Sequence, residues 1–274
     1  MGEQQSAGQP EPWASEESPE GALAAATLIV LRDVGLGSAP EVLMVQRSSA
    51  MRFAAGAIVF PGGRVDPADL LLADRLRHDL SRQDAAARIA AIRETVEEAG
   101  IAVGILPLPS APVLAAMRAA LHAGDGMEAV LERHGLAIDF DALVPFSRWC
   151  PGRAERPGIS RIFDTRFYVA RAPADAHLAT VDSTENVRLR WASAAEMIAD
   201  CDAGREVAIF PTRCNLERLA LDDSHDAVVA HARAHAPEMV TPWMEMRDGE
   251  VHLCIPGHLG YPVTSQPRRT IRRG

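Results

Sequence analysis

The stretch Arg93-Glu94-Thr95-Val96-Glu97-Glu98-Ala99-Gly100 decides how the rest of the chain is read. On a helical wheel of about 100° per residue, Ile89, Ile92, Val96 and Ala99 form one apolar stripe. Glu94, Glu97 and Glu98 gather on roughly the opposite side, and Gly100 is a natural stop just past the helix. One face therefore docks on a core while the other presents three carboxylates. Like charges three or four residues apart repel by about 0.2–0.5 kcal/mol per pair. A hard divalent cation reverses that sign, because Mg²⁺ is held through one or two carboxylates, waters and substrate phosphates. The competing reading is a solvated acidic helix face, and the residues upstream weigh against it.

Upstream runs Gly56-Ala57-Ile58-Val59-Phe60-Pro61-Gly62-Gly63-Arg64-Val65-Asp66. A short apolar run ending in Pro-Gly-Gly predicts a strand leading into a tight turn. Glycine there lets backbone approach a ligand closely or offer a carbonyl to a metal. Gly63, Arg93-Glu94, Glu97-Glu98 and Gly100-Ile101 together resemble the Nudix box: Gly, five residues, Glu, seven residues, then Arg-Glu-aliphatic-x-Glu-Glu-x-Gly-aliphatic. Thr95 fills the first aliphatic slot, and Asp69 stands where the first Glu is expected. Residues 70–92 separate Asp69 from Arg93, so the box is split. Asp66-Pro67-Ala68-Asp69 has the pattern of a helix start, so Asp69 reads either as the first acidic residue of the box or only as a helix-start residue. Leu70–Leu80 is predicted helical. Ser81-Arg82-Gln83-Asp84 then restarts a second helix, which carries the glutamates.

Arg47-Ser48, Arg52, Gly56 and Phe60-Pro61-Gly62-Gly63 are spaced like the second signature of the coenzyme A diphosphatase branch of that family. Guanidinium groups match phosphate oxygens bidentately, so Arg47 and Arg52 suit a ligand with several phosphates. The structural alternative is a strand-end ion pair for Arg47 and a loop cation for Arg52. Further along, Ser147-Arg148-Trp149, Arg161-Ile162-Phe163-Asp164-Thr165-Arg166-Phe167, Glu185 with Trp191, and Phe210-Pro211-Thr212 resemble the acyl-CoA-hydrolysing branch with a split box. Trp149 and Trp191 read as core or pocket wall, and Glu185 as an optional further acidic group. His231 and His235, four apart, read as a surface or capping pair, since no third ligand lies near them in sequence.

The whole pattern predicts one α/β (α+β) domain, a mixed sheet sandwiched between helices, over residues 21–262. Helical insertions are expected at about 66–81 and 107–136. Residues 1–20 are expected to be disordered and 263–274 to form a tail. Strands are expected at 22–31, 41–46, 143–150 and 161–170, helices at 111–122, 126–134, 193–203, 212–221 and 224–235, and a hairpin about Asp248-Gly249. The chain has 274 residues, 47% of them apolar, enough for a full core. A net charge of −9 argues against nucleic-acid or membrane-surface binding. Four scattered cysteines without a CxxC suggest reduced thiols in a cytoplasmic setting. No secretory signal or membrane-spanning run is read.

The resemblance implies hydrolysis of a phosphoanhydride. Glu97 and Glu98 would hold Mg²⁺ or Mn²⁺, with the Gly62 carbonyl as an optional further ligand, and Arg93 would orient Glu94, which would either bind the metal or help position the water. Arg47, Arg52 and Gly63 would meet the substrate. The implied partner is CoA or acyl-CoA, split into 3′,5′-ADP and (acyl-)4′-phosphopantetheine; a homodimer stays open. The alternatives are a pyrophosphatase of ADP-ribose, NADH or another nucleoside diphosphate derivative, or a non-catalytic nucleotide-binding module.

Overall fold

Ala22–Arg32 (β1) is apolar almost throughout because both of its faces are covered. Ala26, Leu28 and Val30 enter one core, while Ile29 and Leu31 enter another on the opposite side of the sheet. The computed structural model describes residue 13 and residues 17–35, 37–51, 54–152, 161–176, 179–181 and 186–271. After β1 come Glu41–Arg47 (β2), Ile58–Val59 (β3), Gly62–Arg64 (β4), Pro67–Arg75 (α1) and Arg82–Ala99 (α2). The expected insertion follows as Ile105–Leu106 (β5), Ala111–His122 (α3), Met127–His134 (α4) and Ala137–Ile138 (β6). Val144–Trp149 (β7), Ile162–Arg171 (β8) and Asn186–Ser193 (β9) return to the main sheet.

Strand β1 runs parallel to β8 from Ala22↔Ile162 to Leu31↔Arg171, and antiparallel to both β2 and β4. Strand β7 continues the sheet beyond β8, and β9 pairs with β2. Helix α2 covers one face. Ala194–Asp202 (α5), Phe210–Leu219 (α6) and His225–Ala234 (α7) cover the other. The mixed sheet sandwiched between helices is the architecture expected. Met239–Val240 (β10) extends the main sheet beside β7. Trp243–Arg247 (β11), Glu250–Cys254 (β12) and Ser265–Pro267 (β13) make a separate three-stranded sheet. Asp248 and Gly249, both with positive φ, form the hairpin turn. Among the described residues no helix is long and apolar enough to cross a membrane, and all four cysteines are free.

Several elements differ from their expected form. Pro61-Gly62-Gly63 is not a tight turn: Gly62 and Gly63 lie in β4, opposite Thr27 and Ala26. Helix α1 stops at Arg75 rather than Leu80, because Leu76 turns extended and the His78 ring bridges the carbonyls of Ala73 and Leu80. Strand β9 was not anticipated, although Val187-Arg188-Leu189-Arg190-Trp191 alternates apolar and charged residues as a half-buried strand does. The separate three-stranded sheet includes β13, past residue 262 and in the region expected as tail.

At the start of α2, Ser81 Oγ accepts from the Asp84 amide at 3.1 Å. The Asp84 carboxylate does not complete a capping box. It is buried and accepts from Trp13 Nε1 at 2.7 Å, Tyr168 Oη at 2.6 Å and Arg88 Nε at 3.0 Å. The expectation of disorder over 1–20 falls mostly outside the described residues, but Trp13 is buried edge-on against Tyr168.

Candidate active site

Helix α2 is buried on nearly every side, with Ile89, Ile92, Val96 and Ala99 fully inside the core. Thr95, in an aliphatic slot, is also buried; its hydroxyl donates to the Ala91 carbonyl at 2.7 Å, so no polar group is left unsatisfied there. Gly100 takes the left-handed conformation with φ 63°, which ends the helix. Arg118 of α3 then donates to the carbonyls of Glu97 and Glu98 at 2.8 and 3.1 Å. A cation at a helix C-terminus satisfies its free carbonyls and its dipole, so the inserted helical pair is tied to the helix that bears the glutamates.

Arg93 organises the acidic face. Its Nη1 donates to Glu94 at 2.9 Å and to Glu97 at 3.0 Å. Its Nε and Nη2 grip both oxygens of Asp69 at 3.2 and 3.1 Å, and Nη2 also reaches the Arg64 carbonyl at 3.0 Å. Asp69 does two jobs. It caps α1 by accepting from the Asp66 amide at 2.9 Å, and it supplies the buried counter-charge for Arg93. Breaking a buried ion pair from one side costs about 3–5 kcal/mol, so the aspartate across the split is more than a helix-start residue. Burial pushes the Asp69 carboxyl above its ordinary range, with Arg93 opposing.

Glu98 is the most enclosed of the three glutamates. It accepts from the Gly62 amide and from Asn186 Nδ2, each at 3.0 Å. Burial pushes its carboxyl up to about 8; Glu94 adds to the rise, while the two hydrogen bonds and the charge of Arg47 oppose it. Burial likewise raises Glu94 to about 7 against the pull of Arg93. Gly63 makes room for this group, since a Cβ built there would fall inside the Glu94 carboxylate. At Gly62 a Cβ would sit 2.7 Å from Thr27 Cα, so only glycine fits between strand and helix.

Among the described residues, no three His, Cys, Asp or Glu side chains already converge as a metal-binding group. Glu94 and Glu97 lean on Arg93, and Glu98 on Gly62 and Asn186, so the expected convergence on one point requires a cation to draw them together. The donor set suits a hard divalent ion. It consists of carboxylate oxygens that burial leaves short of compensating positive charge. The contact the structure gives Gly62 is through its N–H, not the carbonyl expected as a ligand.

A cavity of about 660 Å³ adjoins the glutamates. Arg47, Gly62, Gly63, Arg93 and all three glutamates contribute polar lining. Trp149, Phe163, Phe167, Phe210 and Pro211 contribute an apolar wall. These aromatics are braced edge-on, Phe167 against Phe60 at 6.4 Å and Trp149 against Phe210 at 5.9 Å between centroids. Thus residues from widely separated stretches of the chain meet at one place. Trp191 does not join them; it packs on the core beneath the Arg32 guanidinium. Arg52 and Glu185 lie outside the described residues. His231 bonds Asp222, and His235 bonds the His231 carbonyl, a capping arrangement. Asn186 and Arg118 were missed in the sequence, where neither belongs to a local pattern.

The fold and the site together define a Nudix hydrolase, and the chain belongs to that family. A crystal structure of a Nudix hydrolase from Alicyclobacillus acidocaldarius is 30% identical and covers 76% of this chain and 96% of that one, with a TM-score of 0.64. An acyl-coenzyme A diphosphatase, NUDT19 of Gallus gallus, is 29% identical over 81% of this chain and 73% of its own length. No family model matches the chain.

Proposed function

We propose that this hydrolase cleaves the phosphoanhydride of CoA or acyl-CoA, using Mg²⁺ or Mn²⁺, to give 3′,5′-ADP and 4′-phosphopantetheine or its acyl form. The observation that carries this reading is the cavity itself, where carboxylates and Arg47 share one space with a wall of aromatic rings. A diphosphate joined to a long, weakly polar arm needs both linings. The likeness to the chicken acyl-CoA diphosphatase supports the same substrate class.

Glu94, Glu97 and Glu98 would hold the metal, with Gly62 adding its carbonyl. The bound ion neutralises phosphate charge and lowers the pKa of the attacking water. Arg93, itself held by Asp69, keeps Glu94 and Glu97 turned toward the cavity. Glu94 positions the water and takes its proton as the water oxygen bonds to phosphorus and the bridging P–O bond breaks. Arg47 pairs with the diphosphate oxygens, and the aromatic wall excludes bulk water. Turnover of a panel of CoA, acyl-CoA, ADP-ribose and NADH, with Mg²⁺ and with EDTA, tests the reading. CoA or its thioesters should give the highest kcat/KM, and only with metal; higher values for ADP-ribose or NADH would replace the substrate class.

The raised carboxyls also set a pH dependence. Glu94 and Glu98 titrate near 7 and 8 in the folded chain, against an ordinary value of 4.5. Between about pH 4.5 and 8 the metal-free folded state therefore holds protons that the unfolded state has released. Its stability must fall as pH rises through that window. A cation displaces those protons, so its stabilising effect grows in the same direction. The gap in Tm between Mg²⁺ and EDTA should widen from pH 6 to pH 8. A gap that is constant or narrows would remove these two carboxyls from the metal site.

A further inference from the structure

We infer that Arg161 is a second anion-binding residue, placed to take the 3′-phosphate of the substrate's adenosine half; this rests on the coenzyme A reading above. Alternate residues of β8 share one face, and here Arg161, Phe163, Thr165 and Phe167 all line the cavity. The sheet register locates them against the glutamates. Gly62 pairs with Thr27 and Thr27 with Phe167, while Arg64 pairs with Ala25 and Ala25 with Thr165. The carboxylates that rest on Gly62 and Gly63 are therefore level with residues 165–167.

Arg161 lies four to six residues farther along, roughly 13–20 Å at about 3.3 Å per residue. Arg161 and the three glutamates line the same cavity, so one ligand placed in it can meet both. Phe163 and Thr165 line the interval between them. The other lining cations are engaged elsewhere. Arg47 is assigned to the diphosphate above, Arg93 is gripped by Asp69, and Arg64 lies 3.5 Å from Asp66. Arg161 stands exposed where the strand begins. A diphosphate that also carries a phosphate on its ribose needs a cation at that remove from the reacting centre, and guanidinium suits phosphate geometry.

The test compares CoA with dephospho-CoA in wild type, Arg161→Gln and Arg161→Lys, beside calorimetric binding of 3′,5′-ADP and 5′-AMP. Wild type should favour the 3′-phosphorylated member of each pair by about tenfold or more, the effect of one charged hydrogen bond. Arg161→Gln should bring both ratios close to one, and Arg161→Lys should retain part of them. A wild type indifferent to the 3′-phosphate, or a preference that survives Arg161→Gln, overturns the assignment. A wild type that hydrolyses ADP-ribose or NADH but neither CoA nor dephospho-CoA overturns the coenzyme A reading instead.

Discussion

Glu98→Gln and Glu97→Gln should each lower kcat by about two orders of magnitude or more in saturating Mg²⁺, the scale on which single electrostatic contributors to a transition state act. The argument begins with charge. Glutamine keeps the shape and one acceptor but cannot neutralise a divalent cation. At position 98 it cannot satisfy both of its present neighbours, because Gly62 N–H and Asn186 Nδ2 both donate to the carboxylate. The fold should nonetheless persist, since α2 is held by Ile89, Ile92, Val96 and Ala99 on its other side. Steady-state turnover and thermal melts check both halves. Wild-type rates in both variants would dismiss the metal assignment, and collapse of the melt would show the glutamates to be structural.

The second large effect is expected at Gly63→Ala, which adds one methyl group and changes no charge. Gly63 lies in β4 opposite Ala26, without the positive φ that alanine resists, so the backbone itself tolerates the change. The obstacle is steric, since the new Cβ would occupy the space of the Glu94 carboxylate. Either Glu94 turns away from its bond with Arg93, or β4 and α2 move apart. A displacement near 1 Å at a reacting centre costs about a hundredfold in rate. Gly257→Ala provides the contrast, since a Cβ there meets nothing within 4 Å; it should be neutral within about 0.5 kcal/mol. Equal activity in Gly63→Ala and wild type would show that Glu94 does not need its present position.

Much of the site could be read along the chain because its determinants are local. The apolar stripe of α2, its acidic face and its glycine stop all lie within about three turns, and 3.6-residue periodicity exposes them. The helices of the insertion and strands β1, β2, β7 and β8 were legible on similar grounds. Residues around Arg47, Trp149, Arg161 and Phe210 were flagged only through resemblance, because no period or spacing joins them.

Tertiary structure decided what distance along the chain hides. Asp69 looks like a helix-start residue until α1 folds back and puts its carboxylate in the grip of Arg93, 24 residues away. Asn186 acquires a role only when β9 pairs with β2 and delivers its amide to Glu98. Gly62 and Gly63 read as a turn, yet their missing side chains make room for a strand on one side and a carboxylate on the other. Trp13 lies in a stretch that looks too polar to order, yet it is buried edge-on against Tyr168 and donates to Asp84 in the core. The sequence by itself determined which helix carries the acid groups and located strands β1, β2, β7 and β8 of the sheet, since side-chain period is a property of neighbours. Only the folded chain decided how those acids are held and what wall they face, since a buried charge takes its partners from whatever segment packing brings within about 3 Å.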